Sequence, residues 1–322
     1  MKKKSIILPR GKGKLRAISK GSSVAVIAPA SPFERKRLDR AVRWLEGEGI
    51  SVRYRPEIFS RKGYLAGSDA RRLKEFITAW RDPKIDAIFA ARGGYGSMRL
   101  LETLVRKSKI FGRPSHPKIV SGMSDLTVLL NRISVESGLP TIHGPVLAGD
   151  LFERMSETSR RRWLSFFRGG KERILKAPHD HRVLHAGTAS GRLWGGNLAT
   201  VAAAVGTRFE IPASGILFLE EVSEPPYRID RMFAQLALSG YFRKIRGLLL
   251  GDFTDLSGKP HRTAWLEGIV DRFLGARKIP VLAGIRAGHR HANVLLPIGA
   301  PVRIEARGRR LLLPPFVREV AS

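Results

Sequence analysis

Residues 119–130 read IVSGMSDLTVLL: a short apolar run, a break at Gly122-Met123-Ser124-Asp125, then apolar residues at helical spacing. A buried strand that turns directly into a helix is the repeating unit of a parallel sheet, because parallel neighbours must be joined by a crossover. The chain before this stretch has the same form. VAVIAP (24–29) reads as a strand, Leu38, Ala41, Val42 and Leu45 share one helical face, and SVRYR after Gly49 reads as a second strand. Ser68 has the chemistry of an N-cap, Leu73, Phe76, Ile77 and Trp80 form the apolar face behind it, and AIFAA (87–91) follows Pro83 as another strand. After the quoted stretch, Leu126, Leu129, Leu130 and Ile133 share a helical face and PTIHGP supplies a fifth strand-like run. The fold expected is α/β, with an N-terminal parallel-sheet domain covered by helices.

The second half mixes strands such as ILFLEEV (216–222), GLLLGDF and IPVLAGI with the helix RIDRMFAQLALSG, and closes with VRIEA and RLLLPPF. It predicts a C-terminal α/β domain with a barrel-like mixed sheet. The expected division is a basic arm over 1–21, an N-terminal domain over 22–165, a polar linker over 166–185 and a C-terminal domain over 186–322. A chain of 322 residues, 43% hydrophobic, is long enough to give each domain a core.

Cysteine is absent, which excludes disulfides, thiolate metal sites and a cysteine nucleophile. Lys2, Lys3 and Lys4 begin like a signal peptide, but Ile6-Ile7-Leu8 stops at Pro9, short of the roughly 7–15 apolar residues an export signal needs. The expectation is a cytoplasmic protein with no membrane span. The formal charge is +30, a field that attracts anions. The cations are spread through apparent helices, as at Arg35, Lys36, Arg37, Arg40 and Arg43, and no helix-turn-helix, zinc-finger or aromatic-basic RNA motif accompanies them. Nucleic acid is therefore not the expected partner, and acidic substrates suit the field better.

Ser124 falls at the carboxyl end of a strand, where parallel sheets expose loops to ligands. Two readings stand: a helix cap, or a nucleophile on a sharp turn. Gly122 is small enough for such a turn, although Leu126 stands where G-x-S-x-G would have its second glycine. The stretch ARGGYGSMRLL (91–101) also joins strand to helix, and its glycines can present N–H groups to an anion; it is neither a P-loop nor G-x-G-x-x-G. A serine nucleophile needs a base, usually an oriented histidine. Of eight histidines, His289 in RAGHRHANVLLPIG sits in a Gly-flanked loop, with His291 as its competitor. Glu220 ends a buried run and needs a partner there; Glu221 competes, but alternation puts it on the opposite face. Tyr95, Trp194 and Asn197 lie in Gly-rich stretches and are candidates either for lining a cleft or for structural roles. His179, Asp180, His181 and His185 are a candidate ligand set without an H-E-x-x-H motif, and no metal or cofactor is expected.

Taken together, VAVIAPAS, ARGGYGSMRLL, SGMSDLTVLL, PTIHGPVL, GRLWGGNLA, ILFLEEVSEPPYRIDRM and the AGH…N…LPIG region resemble, in order, the LD-carboxypeptidase family of serine peptidases. The family includes muramoyltetrapeptide and microcin-immunity carboxypeptidases. The resemblance spans about residues 22 to 305. It implies Ser124 as nucleophile, Glu220 as orienting carboxylate, His289 as base, the Gly94 and Asp125 amides as oxyanion hole, and a homodimer. It further implies hydrolysis of the bond before a terminal D-alanine in muropeptides. Absence of cysteine separates the chain from LD-transpeptidases. Met123 replaces the aromatic residue usual before the serine, and the +30 charge is also a departure. A microcin-immunity-type enzyme acting on a peptidyl or aminoacyl-nucleotide amide, and a noncatalytic polyanion-binding protein, are the alternatives.

Overall fold

The computed structural model describes residues 15–106, 116–169, 173–177, 183–255, 257, 259, 263–290, 293–313, 315 and 317–318. The strands are β1 Leu15–Arg16, β2 Ser23–Ile27, β3 Ser51–Arg53, β4 Ala87–Ala90, β5 Ile119–Gly122, β6 Thr141–His143, β7 Arg173–Lys176, β8 Thr188–Asn197, β9 Gly215–Glu221, β10 Ile245–Phe253, β11 Val281–Ala283, β12 Leu296–Ile298, β13 Pro301–Glu305, β14 Arg310–Leu313 and β15 Val317–Arg318. The α-helices are α1 Arg35–Gly47, α2 Asp69–Arg81, α3 Met98–Arg106, α4 Thr127–Ser137, α5 Asp150–Glu153, α6 Glu157–Phe167, α7 Leu198–Ala204, α8 Pro226–Leu238 and α9 Thr263–Leu274.

The five strands expected in the first half form one parallel sheet in the order β6-β5-β4-β2-β3. β2, β4 and β5 are buried at every position, as strands covered by helices on both faces must be. Leu38, Ala41 and Leu45 of α1 and Phe76, Ala79 and Trp80 of α2 face that core, and the Ser68 hydroxyl accepts the Arg71 N–H as the cap of α2. In the second half β8, β9, β10 and β11 are parallel, while β13, β14 and β7 extend the same seven-stranded sheet in antiparallel pairing. β11 and β7 are its outer strands. This is the α/β pairing of a parallel sheet with a second, mixed sheet that the sequence predicts.

Three features differ from the expected division. β12, far into the second half, pairs antiparallel with β6 as the sixth strand of the first sheet, so the halves share a strand. Pro297 lies within β12, which an edge strand tolerates because one side of it needs no donor. The span 166–185 is also more than a linker: Phe167 packs in the first core against Phe89 and Trp163, and β7 pairs with β14. GRLWGGNLA, read as a Gly-rich stretch, is the end of the ten-residue strand β8 running into α7. Gly195 and Gly196 have φ of 114° and 146°, which lets β8 lie against Phe218 on one side and Thr127 on the other without a side chain between. The basic arm falls mostly at residues 1–14, outside the described residues. No helix among the described residues is long and apolar enough to cross a membrane.

Candidate active site

β5 ends at Gly122, and Ser124 follows on a turn that feeds a short 3₁₀ segment and then α4. Ser124 has φ of 64°, a conformation that costs a non-glycine residue on the order of 1–3 kcal/mol and needs support from its surroundings. The caps of the two helical segments are Met123 and Leu126, and neither uses a side chain. Ser124 is therefore not a cap; its turn presents the residue at the carboxyl edge of the sheet. The glycine turn lies directly over it: a Cβ on Gly93 would come within 2.9 Å of the Ser124 Cβ and 3.2 Å of its Oγ.

That turn is held from several sides. The Ser31 N–H donates to the Gly93 carbonyl at 3.1 Å, and the Ser31 hydroxyl accepts the Tyr95 N–H at 3.1 Å. Fully buried Arg72 donates to the carbonyls of Pro29 and Gly96 and pairs with Asp69. The Asp125 carboxylate accepts the Ser97 N–H at 2.7 Å just ahead of α3. Burial pushes the Asp125 carboxyl up, and its bonds from Ser97 pull the other way. The Gly94 turn and the Asp125 helix start are thus joined beside Ser124, and the first N–H groups of a helix lack intrahelical acceptors.

The second half contributes a carboxylate and a histidine. Glu220 stands near the end of β9, with no exposed surface, and its Oε2 lies 2.8 Å from His289 Nδ1. The bond fixes the tautomer: Nδ1 donates to the carboxylate, leaving Nε2 as the basic atom. Burial on its own would lower the His289 pKa, but the charge and hydrogen bond of Glu220 outweigh it and hold the imidazole above its ordinary value. Glu221 faces the opposite side, where its carboxylate accepts from Asn197 Nδ2 at 2.8 Å and the Ala199 N–H at 2.8 Å. Burial, reinforced by Glu220, pushes it up to about 7.

Ser124, Gly94 and His289 line one cleft of about 810 Å³ between the two sheets. Met123, Val146, Leu151 and Val222 supply apolar wall, while Arg92, Arg154, Arg286 and Arg290 supply cations. Of the two wall carboxylates, Asp150 is paired with Arg37, and burial pushes Asp252 up to about 6. No local signal marks these arginines, whereas Asp252 is the penultimate residue of GLLLGDF, near the end of a buried run as Glu220 is in ILFLE. His143 of PTIHGP, also unmarked in the sequence, is fully buried edge-on to Phe218 and pushed down to about 4 by burial, hence neutral.

Tyr95, Trp194 and Asn197, the candidates for either cleft-lining or structural roles, are not among the cleft's lining residues. Trp194 is 6% exposed and packs beside the turn at Gly299, and Asn197 caps α7 through its Oδ1 and binds Glu221; both are scaffold. Their glycine neighbours signalled close backbone packing rather than an open loop. Tyr95 is exposed but pairs edge-on with Tyr64 outside the cleft wall. His291, the competing base, and His179, Asp180 and His181 lie outside the described residues. His185 bonds Asp271 at 3.0 Å, and no cluster of three or more potential metal ligands occurs among the described residues.

A serine on a strained strand-to-helix turn and a carboxylate-held histidine thus line one cleft of an α/β fold, an arrangement of the kind serine hydrolases use. Two family models match the chain: the LD-carboxypeptidase N-terminal domain over residues 24–144 and the LD-carboxypeptidase C-terminal domain over 190–304. A relative from Bacillus subtilis (strain 168), "Probable murein peptide carboxypeptidase", is 33% identical over 315 residues, covering 96% of each chain. The "Murein tetrapeptide carboxypeptidase" of Pseudomonas aeruginosa is 34% identical, covering 89% of this chain and 94% of its own. The crystal structure of a muramoyltetrapeptide carboxypeptidase from Oxalobacter formigenes superposes with a TM-score of 0.76 at 27% identity, covering 91% of this chain and 98% of that one. The chain belongs to the LD-carboxypeptidase family of serine peptidases.

Proposed function

We propose that this protein is a serine LD-carboxypeptidase that removes the terminal D-alanine from muropeptide tetrapeptides, with Ser124 as nucleophile, His289 as base and Glu220 as its orienting carboxylate. The observation that carries the assignment is the 2.8 Å His289–Glu220 bond, which leaves Nε2 as the basic atom of a histidine lining the same cleft as Ser124. His289 takes the Ser124 proton as Oγ attacks the amide carbonyl, and the Gly94 and Asp125 amides receive the developing oxyanion. The C–N bond then breaks, His289 returns the proton to the leaving amine, and water activated by the same histidine releases the acyl group.

The wall arginines support an exopeptidase. A peptide that ends in the site carries a terminal carboxylate, and Arg92, Arg154, Arg286 and Arg290 outnumber the wall carboxylates Asp150 and Asp252. Charge-assisted bonds from guanidinium to carboxylate are stronger than neutral ones and favour such a chain end. A role in peptidoglycan turnover, a cytoplasmic location and assembly as a homodimer belong to the same reading, supported by the family resemblance.

The test is incubation with free or muramoyl tetrapeptide ending in D-alanine, followed by mass spectrometry. Loss of one alanine is expected, absent in Ser124→Ala. Cleavage of a nucleotide amide with no alanine release would move the enzyme to the microcin-immunity branch. Steeply salt-dependent polyanion binding with no hydrolysis of either would make it a noncatalytic binder.

A further inference from the structure

We infer that Thr127 is a positioning residue through which the C-terminal sheet aims Ser124; this rests on Ser124 being the nucleophile. Thr127 is fully buried at the start of α4, and its Oγ1 lies 2.7 Å from the Ser124 carbonyl oxygen and 3.0 Å from the Asn197 backbone nitrogen. The amide can only donate and the carbonyl can only accept. The hydroxyl therefore accepts from Asn197 and commits its single proton to Ser124. The Ser124 carbonyl also receives the Thr127 N–H, so two bonds hold the residue whose φ is 64°.

A threonine bonding a carbonyl three residues back is common near helix ends and by itself signifies little. Here the other side of the hydroxyl is filled from the opposite half of the molecule. Asn197 stands opposite Glu220 in the β8–β9 register, and Glu220 holds His289. One hydroxyl thus joins the nucleophile's turn to the strand beside the carboxylate. Gly196 permits the approach, since a Cβ there would lie 2.5 Å from Thr127 Oγ1.

The docking of α4 on β8 has its own fastening. Buried Asn131 donates to the Gly195 carbonyl at 2.8 Å and accepts the Gly195 N–H at 3.0 Å. What the Thr127 hydroxyl adds beyond docking is its bond to Ser124.

Thr127→Val keeps the shape and removes both bonds, whereas Thr127→Ser keeps the hydroxyl. For Val, kcat should fall about 10- to 100-fold with KM within about twofold, and Ser should recover to within about threefold of wild type. A small fluorophosphonate gives a second readout that needs no peptide subsite: Ser124 Oγ bonds phosphorus, the P–F bond breaks, fluoride leaves and His289 takes the proton. Labelling of Thr127→Val should slow by the same factor as kcat. A Val variant that melts lower but, while folded, labels and turns over like wild type would overturn the inference. Wild type that fails to label at Ser124 would instead overturn the nucleophile assignment. Should Val not fold, Thr127→Ala is read against Ser by the same criteria, its smaller side chain fitting beside Gly196.

Discussion

Replacing Glu220 by Gln tests the site most directly, because it changes one oxygen to nitrogen in a fully buried group and leaves the shape nearly intact. The bond it alters is the 2.8 Å contact to His289 Nδ1. Two consequences follow. The imidazolium formed in the transition state loses its counter-charge, and removing one partner of a buried, hydrogen-bonded ion pair costs about 3–5 kcal/mol. At about 1.4 kcal/mol per factor of ten, kcat should fall about 10²- to 10⁴-fold. The second consequence appears in the pH profile. His289 acts as a base only when neutral, and Glu220 holds its pKa above the ordinary 6.5 against burial, so wild-type kcat/KM should fall with decreasing pH through a value above 6.5. In Glu220→Gln burial is opposed only by the lesser charges of Glu221 and Asp252, and the acid limb should move down. The assay is alanine release from pH 5 to 9, with the melting temperature recorded for both proteins. A folded variant that keeps more than half of wild-type kcat with its acid limb unmoved would refute the orienting role.

Ser124→Ala and His289→Ala should each lower kcat by about 10³-fold or more, and the double variant should be no worse than either, because the residues act as a unit; additive losses in single-turnover assays would argue against the pairing. Substantial activity in His289→Ala would transfer the role of base elsewhere, with His291 the first candidate. Gly93→Ala places a Cβ 2.9 Å from that of Ser124 and 3.2 Å from the Met123 carbonyl, so kcat should drop at least tenfold with a smaller change in melting temperature. Arg72→Met strands the Pro29 and Gly96 carbonyls and should destabilise by about 3 kcal/mol in urea unfolding; an unchanged midpoint would show that the glycine turn does not depend on it.

Much of the first half was legible because its signals are local. Strand, cap and helix follow from periodicity and turn chemistry within a dozen residues, as at Ser68 and at Leu126 to Ile133. Alternation put Glu220 and Glu221 on opposite faces, since a strand sends neighbours to opposite sides, and the family resemblance selected Glu220 between them. For Trp194 and Asn197 the sequence left cleft-lining and structural roles open, because glycines in sequence look alike whether they open a loop or let two backbones close. Thr127 and Arg72 gave no distinguishing signal: their roles depend on carbonyls and amides contributed by distant segments.

The sequence by itself determined a parallel α/β half with Ser124 at a strand end, ruled out thiol chemistry, and held the motifs whose order resembles one peptidase family. Tertiary structure decided that Ser124 occupies a strained turn rather than a cap, that His289 meets Glu220 across 69 residues, and that β12 returns to the first sheet. The division has a physical origin. Side-chain periodicity is written into each segment, whereas a hydrogen bond between remote residues exists only where sheet register and the packing of α4 on β8 bring its two ends together.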